Sequence, residues 1–364
     1  MKKLLIRLLT ISLVAFTLAG CNSGSTSTSG SGDGTGSACP IRVGFVTDVG
    51  GVDDKSFNQS AWEGINRYAE EQGWDADACL KVIQSSSDAD YIPNLTSMAE
   101  DGFDLVIAVG YLFEASLNEV APLFPDTKFF VVDTVVSQPN VVSATFAAEQ
   151  GSFLVGVAAG LRAKAEGWDK VGFLGGVEGE LIGAFQAGYE QGVWAVYPEA
   201  EIVVDYADAF NMPEVGKNIA VKQFDSGVHI IYQAAGSSGN GAISEAKERG
   251  SDYYVIGVDK DQYHDGDMAD GSSVILTSMV KRVDVATYTV TKDVHQGTYA
   301  GGSVMVFNIN NEGVGAETST GRNLSDIEIE TILEYNNKVV AGEIEVSPTP
   351  VIPNGQSGTY SSTH

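Results

Sequence analysis

Three side chains that can bind a small molecule follow the first apolar run of the chain at close spacing: Asp48, Phe57 and Asn58. Between them, the pair Gly50–Gly51 permits a tight turn, and Ser56 can cap the helix that follows. A carboxylate, an aromatic face and an amide suit a flat, uncharged ligand that carries hydroxyl groups. The alternative is that this segment is only a turn between two elements.

The second half of the chain supplies groups that match this set. Phe210 follows the apolar run 201–204, and the stretch Gly236–Gly241 leaves the backbone open to close approach by a ligand. Asp259 and Lys281 each come at the end of a further apolar run. Carboxylates accept hydrogen bonds from sugar hydroxyls, and a lysine offsets their charge and donates in turn. Two alternatives stay open: Phe210 is a core residue, and Asp259 and Lys281 form a structural ion pair.

Short runs rich in Val, Ile and Phe alternate with longer helical stretches after residue 40. Wholly apolar runs are typical of strands covered on both faces, as in parallel α/β sheets, because strands of one-sided sheets alternate. The expected strands of the first half are Arg42–Thr47, Lys81–Ser85, Leu105–Val109, Lys128–Val132 and Val141–Thr145. Those of the second half are Val171–Leu174, Glu201–Val204, His229–Tyr232, Tyr254–Val258 and Val274–Thr277. The sequence therefore predicts an α/β fold with two doubly wound parallel-sheet lobes.

The chain is expected to cross between these lobes several times. The N-terminal lobe is predicted to comprise residues 39–148 with about 282–310, and the C-terminal lobe residues 149–281 with about 311–364. Several crossings form a hinge with a cleft between the lobes. Because ligands of open α/β sheets bind at the carboxyl ends of the strands, this cleft is the expected ligand site.

Residues 1–20 differ in character from the rest of the chain. Three basic residues precede the apolar run Leu8–Leu18, which is too short to span a hydrocarbon core of ~30 Å. This order predicts a secretory signal peptide, and Cys21 after Leu-Ala-Gly resembles the lipidated cysteine of bacterial lipoproteins. Residues 21–38 then form the lipidated cysteine and a flexible tether of Ser, Gly and Thr. The alternative is an ordinary signal peptide followed by an incidental cysteine.

Acidic residues far outnumber basic ones, with 48 Asp and Glu against 21 Lys and Arg and a net charge of −27. Because binding to nucleic acid or anionic lipid rests on clustered Lys and Arg, we expect no nucleic-acid partner and membrane contact only through the anchor. With Cys21 lipidated, Cys39 and Cys79 remain, each shortly before an apolar run. If those runs are adjacent parallel strands, the pair reaches disulfide distance. Otherwise the two are unrelated thiols.

Enzymatic functions fit the sequence less well. The histidines lack metal-ligand spacing, and the chain has no Gly-x-Ser-x-Gly elbow and no Walker loop. Asp53 and Asp54 are expected to be turn and cap residues rather than an acid–base couple. A nucleoside hydrolase is the enzymatic alternative. A two-lobed receptor for a sugar or an autoinducer, and a sensor or adhesion lipoprotein, are the other competing functions.

The residues singled out above carry a resemblance to a known family. The segment Asp48–Gly64, together with Gly102–Gly110, Gln233–Gly236 and Gly257–Asp259, resembles the basic membrane protein family of bacterial lipoproteins. Within that family the chain is similar to the purine nucleoside receptors, which are substrate-binding subunits of ABC importers. The resemblance covers most of residues 40–345 and implies a fold of the type I periplasmic-binding-protein kind.

The resemblance also implies how the base of a nucleoside is bound. Phe57 and Phe210 would hold a purine between their rings, and Asp48 would bond the base. Where the purine receptors have an amide just before the first ring, this chain has Ser56, with Asn58 just after the ring. The base contacts of this chain therefore depart from those of the purine receptors at these two positions, and both a purine and a pyrimidine stay open as the preferred base.

For the ribose, the resemblance implies binding by Asp259, Lys281 and the backbone near Gly236. The implied protein is a lipid-anchored binding protein at the outer face of the cell membrane. It would deliver a nucleoside to an ABC permease with its ATPase subunits. It is expected to act as a monomer, with no cofactor and no metal.

Overall fold

The structure is a computed structural model, and it describes residues 39–350. Several predictions lie outside the described residues: the signal peptide 1–20, the lipidated Cys21 with its tether, and the end of the C-terminal lobe from 351 to 364. Within residues 39–350, no helix combines the length and the apolar character needed to cross a membrane.

Strands and helices alternate along the described residues. The strands are β1 (Val43–Thr47), β2 (Leu80–Ile83), β3 (Leu105–Val109), β4 (Lys128–Val132), β5 (Val141–Phe146), β6 (Lys170–Gly175), β7 (Glu201–Tyr206), β8 (Ile230–Ala234), β9 (Tyr254–Asp259), β10 (Ile275–Lys281), β11 (Val304–Phe307) and β12 (Val314–Ala316). The α-helices are α1 (Phe57–Glu71), α2 (Ala76–Cys79), α3 (Tyr91–Glu100), α4 (Glu114–Val120), α5 (Ala148–Glu166), α6 (Glu180–Val196), α7 (Pro213–Asp225), α8 (Ser237–Arg249), α9 (Val283–Gln296) and α10 (Asp326–Val340).

The strands form two six-stranded sheets, each the centre of one lobe. The sheet of the first lobe has the order β2-β1-β3-β4-β5-β11, and all of its neighbours pair in parallel. The sheet of the second lobe has the order β7-β6-β8-β9-β10-β12, in which β12 alone runs antiparallel to its neighbour. The prediction of two doubly wound, parallel α/β lobes is confirmed.

The chain passes between the two lobes three times within the described residues. It leaves the first lobe after β5, returns to it after β10 and crosses again between β11 and β12. As a result, α9 packs beside α1 on the first lobe, whereas α5 packs beside α6 on the second. Three connections of this kind form a hinge between the lobes.

Apolar residues cover both faces of each sheet. Along β1, Phe45 belongs to the cluster with α1 and α9, while Val46 belongs to the cluster with α3 and α4. Along β6, Phe173 packs with α5 and α6, and Leu174 with α7 and α8. All four side chains are buried, and they alternate because successive side chains of a strand point to opposite faces. The two-sided burial explains why these strands are apolar throughout.

Cys39 and Cys79 form a disulfide, with their Cα atoms 5.3 Å apart. One precedes β1 and the other directly precedes β2, and Val43 of β1 lies opposite Leu80 of β2 in this parallel pair. The bond joins residues 40 positions apart. For a loop of that length, the restriction of the unfolded chain contributes about 3–4 kcal/mol of stability.

Several strands extend further than their apolar runs predict, and two of these extensions carry expected site residues. β9 continues to Asp259 instead of Val258, and β10 continues to Lys281 instead of Thr277. The added residues are paired in the sheet, since Val280 lies opposite Asp259. Asp259 and Lys281 are therefore the last residues of neighbouring strands, and the sheet fixes their backbone.

Candidate functional site

A cavity lies between the two lobes, at the carboxyl ends of both sheets. Its empty space, counted together with its opening to solvent, is about 540 Å³. All but one of the ligand residues expected from the sequence line it: Asp48, Phe57, Asn58, Phe210, Gly236, Asp259 and Lys281. The exception is Ser56, which is fully buried and does not line the cavity.

Asp48 directly follows β1 and is bound by its own loop. Its Oδ1 atom accepts hydrogen bonds from the backbone N–H of Gly50 and from Nδ2 of Asn58, both at 2.8 Å. Burial raises the pKa of Asp48 to about 7; these hydrogen bonds lower it, and the charges of Asp54 and Asp259 raise it further. No hydrogen bond within residues 39–350 engages Oδ2, so this oxygen can accept one from a ligand.

Asp54 caps helix α1, as expected for this residue. The carboxylate is 2% exposed, and it accepts hydrogen bonds from the backbone N–H groups of Ser56, Asn58 and Gln59 at 2.9–3.1 Å. These donors belong to the first turn, which has no helical partner for them. The prediction that the Ser56 side chain caps this helix is wrong. Ser56 occupies the N-cap position, but its hydroxyl makes no capping bond because Asp54 already binds the N–H groups.

The hydroxyl of Ser56 bonds across the cleft instead. It donates to Oδ2 of Asp259 at 2.5 Å and lies 3.3 Å from the carbonyl oxygen of Val258. Burial raises the pKa of Asp259 to about 6, while the charge of Lys281 and the Ser56 hydrogen bond lower it. A first-lobe serine thus holds a second-lobe carboxylate that lines the cavity.

Phe57 and Phe210 line the cavity from different lobes. Both are half-buried, and each also packs against the core of its own lobe. The ring of Phe210 lies against Gly176, where a Cβ atom would come within 2.2 Å of its Cε1 atom. The backbone of Phe210 lies beside Gly236, whose φ of +55° favours glycine. Two rings contributed by different lobes can hold a flat ligand between them.

Lys281 ends β10 with its side chain 2% exposed. Its Nζ atom pairs with Oδ2 of Asp133 at 2.5 Å. The same atom lies 4.7, 5.0 and 5.5 Å from three ring centroids, those of Phe57, Phe146 and Phe185. The alternative of a structural ion pair between Asp259 and Lys281 is therefore wrong, because the ion-pair partner of the lysine is Asp133 from the first lobe.

Acidic groups dominate the lining of the cavity, which contains Asp48, Asp54, Asp133 and Asp259 against the single cation Lys281. A phosphate would lack a matching cation here, whereas an uncharged ligand rich in N–H and O–H donors finds many acceptors. Two buried acceptors of the lining, Oδ1 of Asn58 and Oδ1 of Asp133, have no hydrogen-bond partner among the described residues. An unpaired buried acceptor costs about 1–3 kcal/mol, so ligand donors would stabilise the site. Across residues 39–350, no group of His, Cys, Asp and Glu is arranged to hold a metal ion.

Asp133 and the apolar wall of the cavity are not among the site residues that the sequence predicts. Asp133 directly follows β4 as Asp48 follows β1, so the same signal was present. The wall consists of Leu181, Ile182 and Phe185 from the first turns of α6. Helical spacing predicts core-facing positions there, and sequence does not distinguish a cavity wall from the core because both are apolar.

Two parallel α/β lobes, joined by three connections around a cavity, are an architecture that this chain shares with solute-binding proteins of ABC transporters. A solved solute-binding protein of an ABC transporter from Aeropyrum pernix matches with a TM-score of 0.72 and 28% identity, over 84% of this chain and 93% of that chain. One from Conexibacter woesei shares the fold with a TM-score of 0.64 at 22% identity, over 84% of this chain and 99% of that chain.

The chain belongs to the Bmp family of PnrA-like ABC transporter substrate-binding proteins, because the model of that family matches residues 41–349. The resemblance seen in the sequence is thereby confirmed. The ABC transporter nucleoside-binding protein BmpA of Lactococcus lactis subsp. cremoris is 34% identical over 360 residues, 95% of this chain and 99% of that protein. A CD4+ T-cell-stimulating antigen of Listeria monocytogenes is 40% identical over 341 residues, 90% of this chain and 94% of that protein. Members of this family are substrate-binding proteins and not enzymes, so a hydrolase is not favoured.

Proposed function

We propose that the protein binds a nucleoside between its lobes, with a purine as the preferred base, and delivers it to the permease of an ABC importer. The observation that carries this proposal is the pair of rings, Phe57 and Phe210, in one cavity with the carboxylates Asp48 and Asp259. The L. lactis relative is named a nucleoside-binding protein, which supports the same ligand class.

The base would be held by stacking and by one carboxylate. Stacking on an aromatic ring contributes ~1–3 kcal/mol per base in single-strand binders, and Phe57 and Phe210 offer two faces. The open Oδ2 of Asp48 would accept a hydrogen bond from a ring N–H such as that of guanine or hypoxanthine. The unpaired Oδ1 of Asn58 would accept a second one.

The ribose would be held at the other end of the cavity. Asp259 and Asp133 offer carboxylate oxygens to its hydroxyls, and Lys281 donates a charge-assisted hydrogen bond. Closing the lobes around the nucleoside excludes water, which strengthens each of these contacts. The surplus of carboxylates supports an uncharged nucleoside over a nucleotide.

The anchoring and the partners belong to the same proposal. Signal cleavage before Cys21 and its lipidation would hold the protein at the outer face of the membrane, with the tether reaching to the folded body. The protein would act as a monomer that docks on the permease and its ATPase subunits. Replacing Cys21 with Ala is expected to release the protein from the membrane fraction in a cell-fractionation experiment. An unchanged distribution would contradict the lipid anchor.

Calorimetry with guanosine, adenosine, uridine and ribose tests the ligand class. The wild-type protein is expected to bind guanosine more tightly than uridine, and both far more tightly than ribose. Phe210→Ala should weaken guanosine binding by roughly tenfold or more, because one stacking face is lost. Mass spectrometry of ligand carried through purification gives an independent identification.

Phe124→Ala is the matched control, since this half-buried ring lies outside the cavity lining. It should leave guanosine affinity unchanged within about twofold. Ribose binding as tight as guanosine binding would contradict the proposal and favour a sugar receptor. Release of free guanine during incubation with guanosine would instead favour the hydrolase.

A further inference from the structure

The loop between β1 and α1, residues Gly50–Ser56, belongs to the first lobe but is held by the second. Side-chain donors of the second lobe bond three of its carbonyl oxygens: Ser237 Oγ to Gly50 at 3.2 Å, Asn240 Nδ2 to Asp54 at 3.0 Å and Gln262 Nε2 to Lys55 at 3.0 Å. This loop is therefore the place where the two lobes meet beside the cavity.

At least one of these donors is held in position by contacts within the second lobe itself. Gln262 is fully buried, and its Oε1 atom accepts from Nε2 of Gln233 at 2.8 Å and from the N–H of Val258 at 2.9 Å. Both of those partners lie in the second lobe. The amide nitrogen of Gln262 is thus aimed at the loop, where Lys55 has a φ of +61°. Such a left-handed conformation is strained for a residue other than glycine.

Ser56 is the last residue of this loop, and its hydroxyl bonds a carboxylate that lines the cavity. Its hydroxyl donates to Oδ2 of Asp259 at 2.5 Å, and the serine is 0% exposed. The charged groups that act on Asp259 are Lys281, which opposes the rise of its pKa, and Asp54 and Asp133, which add to it. Lys281 is paired with Asp133. Ser56 is thus the neutral donor that bonds this carboxylate.

We propose that Ser56 is a positioning residue, which on closure of the lobes fixes the carboxylate of Asp259 in the orientation that binds the ligand. The proposal rests on the proposed function only in naming the ribose as the group that Asp259 receives. In an open protein, the loop leaves the second lobe and Asp259 loses this donor. The ligand site is then completed only by closure, and loss of Ser56 should act mainly on the dissociation rate.

A double-mutant cycle tests this role. Ser56→Ala is expected to weaken guanosine binding roughly tenfold or more, since a hydrogen bond to a charged group is lost. Asp259→Asn should weaken it at least as much. Because Ser56 acts through Asp259, the double variant should bind like Asp259→Asn alone. Losses that multiply in the double variant, or a Ser56→Ala affinity within twofold of wild type, would overturn the proposal.

The matched control is Ser60→Ala, which removes another buried serine hydroxyl from the start of α1. The hydrogen bond of Ser60 to the carbonyl of Ser56, at 2.9 Å, uses its backbone N–H and survives the change. Guanosine affinity of this variant should remain within about twofold of wild type. A loss as large as that of Ser56→Ala would mean that any buried hydroxyl here matters, and would refute a role through Asp259.

Small-angle scattering of the ligand-free proteins separates this inference from the proposed function, because it needs no ligand. Ser56→Ala should enlarge the radius of gyration relative to wild type and Ser60→Ala, as open molecules become populated. Asn240→Ala, at a half-buried position outside the cavity lining, gives the same readout if Ser56→Ala does not fold. Equal radii for the variants and wild type would contradict the inference even if guanosine binds. Failure of wild type to bind any nucleoside would instead refute the proposed function.

Discussion

The two sides of the cavity differ in where the partners of their charged groups come from. On the first-lobe side, Asp48 accepts hydrogen bonds from Gly50 and from Asn58, which belong to its own loop and to the start of α1. Asp54 accepts a hydrogen bond from Nδ2 of the same Asn58 at 3.0 Å, and it also caps helix α1. The side-chain partners of Asp48 and Asp54 thus lie within the first lobe, whereas the third first-lobe carboxylate of the lining, Asp133, pairs with Lys281 of the second lobe.

On the second-lobe side, both charged groups depend on the other lobe. Asp259 accepts a hydrogen bond from Ser56, and Lys281 pairs with Asp133. Separation of the lobes would leave these groups without those partners. The difference teaches that the polar groups proposed to bond the base, Asp48 and Asn58, are preformed in the first lobe, whereas the groups proposed for the ribose are assembled by closure. In this view the base is recognised first, and the ribose contacts hold the closed state.

The largest expected effect comes from removing the cation on the second-lobe side. Lys281→Ala leaves the carboxylate of Asp133 buried, with its side chain 3% exposed. A buried charge without its partner destabilises a protein by about 3–5 kcal/mol. We expect the free energy of unfolding, measured in urea, to fall by about that amount.

Lys260→Ala is the control for this prediction. It breaks another ion pair between the lobes, Lys260 with Glu63 at 2.6 Å, whose side chains are 24% and 47% exposed. Exposed pairs contribute about 0–1 kcal/mol, so the free energy of unfolding should change little. Equal losses of unfolding free energy for the two variants would contradict this prediction, because burial of the second-lobe charge would then make no difference to stability.

The next effect concerns pH and the first-lobe side. Burial raises the pKa of Asp48 from 3.8 to about 7, so between these values the unfolded chain is ionised while the folded protein keeps its proton. The free energy of unfolding should therefore fall as pH rises from about 4 to about 7, with Asp48 contributing about 2–4 kcal/mol. Asp48→Asn removes this titration. Its advantage over wild type, from urea unfolding at several pH values, should grow through that interval and level off above it.

Glu190→Gln is a useful comparison for Asp48→Asn. Burial also raises the pKa of Glu190 to about 7, but this residue lies on α6 outside the cavity lining. Both variants should gain stability relative to wild type as pH rises, whereas guanosine affinity should change only for Asp48→Asn. If the difference in stability between Asp48→Asn and wild type does not depend on pH, Asp48 is not held in its protonated form by burial.

The two sides of the cavity also differ in how much of them could be predicted from the sequence. Asp48 and Asp259 could be predicted because Asp48 follows an apolar strand and Asp259 ends one. Since ligands bind at the carboxyl ends of parallel strands, each residue is then expected at the ligand-binding edge of its own sheet. The bond between Ser56 and Asp259 could not be predicted, since it joins residues 203 positions apart across two lobes. The alternative of an ion pair between Lys281 and Asp259 named the wrong carboxylate, because the partner of the lysine, Asp133, comes from the other lobe.

Helix capping shows a second limit of the same kind. Asp54 and Ser56 are both favourable capping residues, and the sequence predicts both in this role. In the structure the Ser56 hydroxyl does not cap the helix, because it donates to Asp259 of the second lobe, a residue far away in the sequence. Fold class, lobe number and most strand positions depend on local periodicity and were therefore predictable, whereas the short strand β12 and the contacts across the cleft were not.

The smallest expected effect concerns the two rings. It tests whether Phe210, like Asp259, depends on the other lobe for its position. Phe57 begins α1, but Phe210 lies between β7 and α7 with its ring against the backbone of Gly176. Gly176→Ala would place a methyl group 2.2 Å from Cε1 of that ring, so the ring must move. We expect guanosine affinity in calorimetry to fall roughly three- to tenfold, a partial loss of the stacking contribution.

Gly183→Ala is the control, since a Cβ atom there meets nothing within 4 Å, and its affinity should equal that of wild type. The support of Phe210 lies wholly in the second lobe, unlike that of Asp259. The losses of Gly176→Ala and Ser56→Ala should therefore multiply in the double variant, because independent sites contribute additively to the free energy of binding. A double variant no weaker than Ser56→Ala alone would show that the ring, too, is positioned by closure, and that dependence on the other lobe is not confined to the charged groups.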